Sequence, residues 1–518
     1  MIKSLLSVGG ITLLSRATGF LRDVMLGAVL GAGLAADAFV VAFRLPNHFR
    51  AIFGEGAFNA AYVPSYSRVL ETEGSQRAKI FSGQIFSLLL ISQIVVLALA
   101  WIFTPELVRL LAPGFADDPA KFDLAVTLTR ITFPYLLCVV LVTLLSGTLN
   151  AHRRFVAAAF APVLLNLTMI AALAVTFLFP SAGHAAAAGV CAAGVAELLL
   201  LLFAARRASI LATPARPRWT PDVKQFFTAI VPAVIGSAGV QIAIFADTII
   251  SSLLPTGGPS SIYYADRIYQ LPIGVIGIAA GTVLLPEMSR RFAAGDPGAA
   301  FHAQNRTMAI TILLSAPFLV AFLTIPDLIM RAVFVRGAFT NHDADAAAAV
   351  LAAYGFGLMA VVLIRSAVAS FQSQGDTTTP MVVSLLAVAV NVGLKILLFK
   401  PMGAAGLALA TAVGAWINFG LLSILALRRG AMQLDGMFWK IVASVAVASV
   451  LLAFIALFGQ SAAASLASFV SGGNVVELCI LGGAGGAAYG IATLAGLRAM
   501  GVPFSKLFGG RRKPTPKA

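Results

Sequence analysis

The chain has unusually few charged residues for its length. Only 11% of its 518 residues are Asp, Glu, Lys or Arg, whereas 59% are hydrophobic and the mean hydropathy is +0.93. A soluble domain carries about 25% charged residues, so this composition excludes an ordinary soluble globular protein. The chain is therefore predicted to be an integral membrane protein.

Cysteine is also scarce. Cys138, Cys191 and Cys479 each lie in an apolar run, without metal-ligand or redox spacing, and the histidines show no such spacing either. We interpret the three cysteines as core residues. No nucleotide-binding motif is present, because the glycine-rich GGAGG follows no predicted strand and lacks a lysine. The sequence predicts no metal, no cofactor and no catalytic residue.

Acidic residues are outnumbered by basic ones, 21 to 36, which gives a net charge of +15. The bases cluster in short loops between apolar runs instead of forming a continuous basic surface. Anionic lipid headgroups are therefore the expected counter-charge, and a nucleic-acid partner is not expected.

Long apolar runs are abundant, and fourteen of them are long enough to span a bilayer. The N-terminal run continues well past the length of a signal peptide, so it is interpreted as the first span. The second is expected to be broken or amphipathic, because it contains Pro46, Pro64 and Glu55. The predicted spans are residues 4–30, 36–67, 80–103, 122–149, 157–180, 185–205, 222–253, 261–288, 305–330, 346–371, 380–399, 404–427, 437–458 and 474–498.

The distribution of basic residues predicts the topology. With the N-terminus inside, the inward loops carry most of the bases. The outward loops hold few, and acidic residues accompany them. An even number of spans and the basic C-terminal tail then place both termini in the cytoplasm. The few outward bases are Arg109, Lys121, Arg331, Arg336 and Lys400.

The chain also contains an internal repeat. VPSYSR at 63–68 resembles LPEMSR at 285–290, and AARR at 204–207 resembles ALRR at 426–429, both at an offset of 222 residues. This predicts an all-α polytopic protein with two six-helix lobes in parallel orientation around a central cavity, which opens alternately to each side. The predicted regions are an N-lobe at 1–207, a C-lobe at 222–429, two further helices at 437–498 and a basic cytoplasmic tail at 499–518.

Charged residues inside the predicted spans mark the candidate site. Arg16 follows Lys3 by thirteen residues, about 20 Å along a helix and therefore near mid-membrane. A charge there costs about 2.5 to 3.5 kcal/mol, so such residues usually face a bundle interior or a wet cavity. Five arginines and four carboxylates share the predicted cavity lining, which fits either a structural ion-pair network or arginine forks that bind phosphate oxygens. They are Arg16, Arg22, Arg44, Arg50, Arg267, Asp23, Asp37, Glu55 and Asp266.

Several of these segments resemble one known family. SRATGFLRD, ADAFVVAFRLPN (which ends at Asn47), GEGAFNAAYVP, ADRIYQLPIGV and QGDTTTP are together similar to the MurJ (MviN) lipid II flippases of the multidrug, oligosaccharidyl-lipid and polysaccharide exporter superfamily. The resemblance implies transport of lipid II, an undecaprenyl-diphosphate-linked disaccharide pentapeptide, from the cytoplasmic to the periplasmic leaflet of a bacterial inner membrane for peptidoglycan synthesis. Membrane lipids and the cell-wall synthesis machinery are the implied partners.

The resemblance also assigns roles to residues. Arg16, Arg22, Arg50 and Arg267 match the family's essential cavity arginines, and Asp37 matches a functionally important aspartate. Asp23, Arg44, Asn47, Glu55 and Asp266 complete the expected substrate-binding set. The two C-terminal helices correspond to those that line a proposed groove for the lipid tail in the family.

A second polar group is predicted in the C-lobe. Asp247, Asn391 and Thr411 could contribute oxygen atoms to a sodium site of the kind that related transporters hold, but Lys395 occupies the position of a further oxygen ligand. Lys395 would then act as a tethered cation. The alternative is that its ammonium extends to the outer surface.

Other functions remain open at this point. A sister exporter could carry another polyprenyl-diphosphate oligosaccharide or drugs, although multidrug members are expected to have twelve helices and fewer cavity cations. A membrane enzyme acting on polyprenyl diphosphates would need a carboxylate or histidine cluster with acid–base or metal geometry at an aqueous face. The outward loops contain no such cluster.

Overall fold

The computed structural model describes the backbone of residues 2–54, 57–468 and 472–503. Within these ranges it describes all side chains except those of 2–7, 45, 48–54, 57, 233–243 and 278–279. In the described ranges, all regular secondary structure consists of α-helices, short 3-10 turns and a π turn. This all-helical architecture confirms the predicted fold class.

The chain forms two compact units. The first comprises the residues up to Ser260 together with Arg336–Thr340, and the second comprises Ser261–Val335 and the residues from Asn341 onward. The first unit contains α1 (Ile2–Leu30), α2 (Leu34–Gly54), α3 (Ala57–Ile102), α4 (Thr104–Leu111), α5 (Pro119–Thr132), α6 (Pro134–Ala151), α7 (Phe155–Ala174), α8 (Ala182–Arg207) and α9 (Pro221–Ser252).

Helix α10 (Gly258–Pro272) crosses the boundary between the units and continues through a π turn at Ile273–Gly277. The remaining helices belong to the second unit. They are α11 (Ile278–Ala293), α12 (Pro297–Thr324), α13 (Pro326–Phe334), α14 (Asn341–Gln372), α15 (Thr378–Arg428), α16 (Gly436–Phe458), α17 (Gln460–Ala467) and α18 (Gly473–Ala499).

Several helices are longer or shorter than the predicted spans. The predicted span at 122–149 is divided into α5 and α6 at Pro134, whose ring cannot continue the preceding helix. Conversely, α15 has 51 residues, about 75 Å of helix, which is more than twice the hydrocarbon thickness. A non-helical glycine, Gly403, with φ 57° divides α15 into two stretches that match the predicted spans 380–399 and 404–427.

The predicted inward loop that follows the second span is helical. It comprises residues 68–79 and forms the middle of α3, with a kink at Gly74 where φ is 82°, a conformation that glycine adopts without strain. Ten helical stretches in the described residues are long and apolar enough to cross a membrane. The chain is therefore a multi-pass membrane protein, and the count of fourteen spans stays a prediction.

The core of the first unit is built around aromatic side chains on α3 and α9. Tyr62 is fully buried, its hydroxyl donates to Ser82 Oγ at 2.9 Å, and it lies 2.8 Å from Thr148 Oγ1. The Phe226 ring packs on Tyr62 with 6.2 Å between the ring centroids. Because α9 packs on α3 in this way, it belongs to the first unit, whereas the sequence repeat grouped it with the C-lobe.

The core of the second unit is held by close packing and neutral hydrogen bonds. Gln304 on α12 is buried, and its Nε2 donates to Ser366 O at 2.9 Å and to Ser370 Oγ at 2.6 Å, both on α14. Tyr489 on α18 donates its hydroxyl to Leu313 O at 2.7 Å. The two C-terminal helices that the sequence set apart therefore pack on α12 within this unit.

Candidate functional site

Arg22 on α1 is held in place by its neighbour and by α7. It is 8% exposed, and its Nε and Nη2 donate to Asp23 Oδ1 at 3.1 and 2.7 Å. Its Nη1 donates to Asn166 Oδ1 at 2.9 Å. These contacts engage three of the five guanidinium N–H groups, so the plane of the guanidinium is fixed by the protein.

Asn166 is a site residue that the sequence analysis missed. Its Nδ2 donates to Ser15 O at 3.0 Å and to Thr18 Oγ1 at 3.2 Å, which connects α7 to α1. Gly19 leaves room for this approach, because a Cβ added there would lie only 3.3 Å from Asn166 Nδ2. An amide within an otherwise apolar run was the available signal.

The other predicted residues of the first half occupy different environments. Arg16 is exposed on α1. Arg44 on α2 donates from Nη1 to Thr248 Oγ1 on α9 at 3.0 Å, and Asn47 is half-buried. The side chain of Arg50 and the whole of Glu55 lie outside the described residues.

Asp37 is completely buried in the first turn of α2. Its Oδ2 accepts from Lys121 Nζ at 2.7 Å and from the Gly257 N–H at 2.9 Å. Its Oδ1 accepts from the Ser260 N–H at 2.9 Å and from Ser260 Oγ at 2.7 Å. Both carboxylate oxygens are therefore engaged by protein donors, and Asp37 joins α2, α5 and the start of α10.

Lys121 differs from its prediction as an outward-loop base. It lies in the first turn of α5 and is 3% exposed, with its ammonium 4.3 Å from the centroid of the Phe115 ring. A buried ammonium needs a counter-charge, which Asp37 supplies.

The predicted residues of the second unit lie together on α10. The Arg267 Cζ atom is 4.5 Å from the centroid of the Tyr263 ring, a cation–π geometry on one helical turn. The neighbouring Asp266 accepts through Oδ1 from Gln270 Nε2 at 3.2 Å. Both Asp266 and Arg267 are half-buried.

The predicted ion-coupling residues are divided between the two units. Asp247 on α9 belongs to the first, whereas Asn391, Lys395 and Thr411 lie on the two halves of α15 in the second. Lys395 is 3% exposed, which disfavours the interpretation that its ammonium reaches the outer surface. Thr411 Oγ1 donates to Leu407 O at 3.1 Å. No cluster of three or more His, Cys, Asp or Glu suited to a metal occurs among the described residues.

The fold is that of a known class of membrane transporters. A solved structure titled "Lipid II flippase MurJ, inward closed conformation" matches with a TM-score of 0.78 and 22% identity, over 95% of this chain and 99% of that one. An inward-facing multidrug resistance MATE family transporter of the MOP superfamily matches with a TM-score of 0.66 and 14% identity, over 82% and 97%. Because both identities are low, these structural matches establish the fold alone.

Sequence relatives define the family. The model of the lipid II flippase MurJ family matches residues 26–473. The chain is 42% identical to a probable lipid II flippase MurJ of Rhizobium meliloti (strain 1021), over 83% of this chain and 81% of the relative. It is 34% identical to the lipid II flippase MurJ of Burkholderia cenocepacia, over 84% and 85%. The chain belongs to the MurJ lipid II flippase family.

Proposed function

We propose that this protein moves lipid II from the cytoplasmic to the periplasmic leaflet of a bacterial inner membrane, by alternating access, for peptidoglycan synthesis. The observation that carries the proposal is the membership of the flippase family across most of the chain, at 42% identity to one relative. The protein would act as a secondary-type transporter without a catalytic residue, with both termini in the cytoplasm.

The diphosphate of the substrate is the group that the arginines would bind. Arg16, Arg22, Arg50 and Arg267 would supply guanidinium forks, which match phosphate oxygens in pairs. The fixed orientation of Arg22, held by Asp23 and Asn166, supports this role, because a preorganised donor loses little entropy on binding. Asp23, Arg44, Asn47, Glu55 and Asp266 would complete the polar lining.

Asp37 would act as a positioning residue. Its carboxylate oxygens are engaged by Lys121, Gly257 and Ser260, which favours a role in holding helix ends together over direct contact with substrate. Helices α16 and α18 would accommodate the long polyprenyl tail, since both are long and apolar enough to cross a membrane. Components of the cell-wall synthesis machinery would be its partners.

Alanine substitution of the arginines tests the assignment. Arg16→Ala, Arg22→Ala, Arg50→Ala and Arg267→Ala should each abolish complementation of a flippase-depleted host, because a charge-assisted phosphate contact contributes about 1.5 to 3 kcal/mol. Arg22→Lys should rescue poorly, since lysine lacks the planar fork. Arg130→Ala is the matched control, an exposed arginine within a candidate span. Complementation by all four alanine variants at normal protein levels would overturn the proposal.

Membrane potential, and not sodium, would drive transport. The buried Lys395 ammonium on α15 would repel Na⁺ from the ligands Asn391 and Thr411. Each charge moved across the field changes in energy by about 2.3 kcal/mol per 100 mV. Flipping in vesicles at fixed potential should therefore persist when sodium is replaced by choline, and Lys395→Asp should introduce a sodium dependence. A large loss of flipping activity by the parent protein in choline would contradict a sodium-independent mechanism.

A further inference from the structure

A cavity whose lining includes three arginines lies at the common end of three helices of the first unit. It has a volume of about 570 Å³ and is formed where α6 ends, α7 begins and α8 ends. All three belong to stretches long and apolar enough to cross a membrane, so their common end lies at a membrane surface. The functional site does not use this cavity.

The cavity is lined by positively charged side chains and by apolar side chains. Arg153 and Arg154, in the turn between α6 and α7, and Arg207, the last residue of α8, supply three guanidinium groups. Phe155 and Phe203 supply apolar surface and are 39% and 64% exposed, so they face the surroundings of the protein. Cations beside exposed aromatic rings form a surface with one charged and one apolar part.

The turn itself concentrates positive charge. Arg153 has a φ of 57°, a left-handed conformation that disfavours an arginine and suits glycine or asparagine better. The pKa of the nearby His152 is lowered from 6.5, by burial and by the charges of Arg154 and Lys79. The N-terminus of α7 adds to the field, since no side chain caps it and its N–H groups attract anions.

We propose that this cavity binds an anionic phospholipid, with the phosphodiester on the three arginines and the acyl chains along Phe155 and Phe203. The arginines complement the charge of either a lipid headgroup or a soluble anion. The apolar rim favours the lipid, because a soluble phosphate has no apolar part that could contact the aromatic rings. The site is independent of lipid II transport and would tether the α6–α7 turn to an anionic leaflet.

The test compares two double variants that remove the same charge. Arg154→Ala/Arg207→Ala removes two lining guanidiniums, whereas Arg206→Ala/Arg218→Ala removes two exposed arginines that do not line the cavity. Binding of fluorescent phosphatidylglycerol to the purified protein is titrated for each. The first variant, which lacks two basic residues worth about 1 kcal/mol each near an anionic lipid, should bind roughly thirtyfold more weakly, and the control should bind nearly as the parent does.

A third variant tests the cavity without changing the charge. Ala204→Trp should obstruct it, since Ala204 is a lining residue, and should weaken phosphatidylglycerol binding while all arginines remain. Equal melting temperatures in phosphatidylcholine nanodiscs establish that the variants are folded. Equal losses in both double variants, unchanged binding in the lining variants, or full displacement of the lipid by inorganic phosphate would each overturn the proposal.

Discussion

The Asp37 region of the first unit and the contacts of α14 around Gln304 and Gly357 in the second use different chemistry at a similar degree of burial, with the buried Lys395 on α15 lying outside the contacts compared. In the first, an ion pair joins Asp37 to Lys121, with side chains 0% and 4% exposed. In the second, Gln304 makes neutral hydrogen bonds to α14, and Gly357 on α14 packs against Ala412 on α15. The ion pairs Arg331–Asp345 and Arg429–Asp376 of that unit lie at helix ends and are partly exposed.

The difference shows where each region is vulnerable. A buried ion pair contributes little net stability, but removal of one partner leaves an uncompensated charge in a medium that cannot solvate it. A neutral, closely packed contact has no charge that could be left unpaired. Its contribution to stability depends on side-chain volume instead. The first region should therefore be sensitive to a change of charge, and the second to a change of size.

The largest effect is expected from Asp37→Asn. It leaves the Lys121 ammonium buried, which should cost about 3 to 5 kcal/mol and lower the melting temperature of the purified protein. Asp345→Asn, which breaks the exposed pair with Arg331, should cost about 0 to 1 kcal/mol. Addition of Lys121→Met to Asp37→Asn should restore part of the loss. If Asp37→Asn and Asp345→Asn lower the melting temperature by the same amount, the two regions do not differ in their sensitivity to charge.

An intermediate effect is expected from Gly357→Ala. A Cβ there would lie 2.6 Å from the Ala412 Cα atom, so the backbones of α14 and α15 must separate, at a cost of about 1 to 3 kcal/mol. Gly420→Ala on α15 is the matched control, because nothing lies within 4 Å of its added Cβ. It should be neutral or slightly stabilising. Thermal unfolding measures both, and destabilisation of the control to the same extent would show that helix flexibility, not packing, governs this region.

The smallest effect is expected from Asp376→Asn, just before α15. The pKa of Asp376 is lowered from 3.8, first by the hydrogen bond from the Thr379 side chain, then by the Thr379 N–H, with a smaller contribution from Arg429. A carboxylate with a depressed pKa stabilises the fold above its ordinary pKa, and this stabilisation is lost as the pH falls through the depressed value.

The pH dependence of the melting temperature isolates the contribution of the Asp376 carboxylate to stability. The difference in melting temperature between the parent and Asp376→Asn should be constant down to about pH 4 and should shrink below it. Arg429→Gln should narrow the same difference, because Arg429 Nη1 donates to Asp376 Oδ2 at 3.2 Å. A difference that grows on acidification would mean that the cause of the shift has been misassigned.

Much of the fold follows from the sequence. Apolar runs predict where membrane helices occur, because spanning length and hydropathy are local properties of the chain. Pro134 explains a break that the structure adds, between α5 and α6, and Gly403 lies at the predicted boundary between two spans within α15. Only the middle of α3, residues 68–79, was predicted as a loop, because its charged residues are typical of a connection between two spans.

The sequence by itself determined the class of the protein, the positions of most of its helices and the presence of charges within its apolar runs. Tertiary structure decided what those charges contact. Asn166 meets Arg22 across 144 residues and Lys121 meets Asp37 across 84, separations at which no local pattern indicates a partner. An isolated helix fixes only which residues share a face, whereas the neighbour that faces them depends on how all the helices pack. The energetic role of each buried charge therefore depends on contacts that form only when distant helices come together.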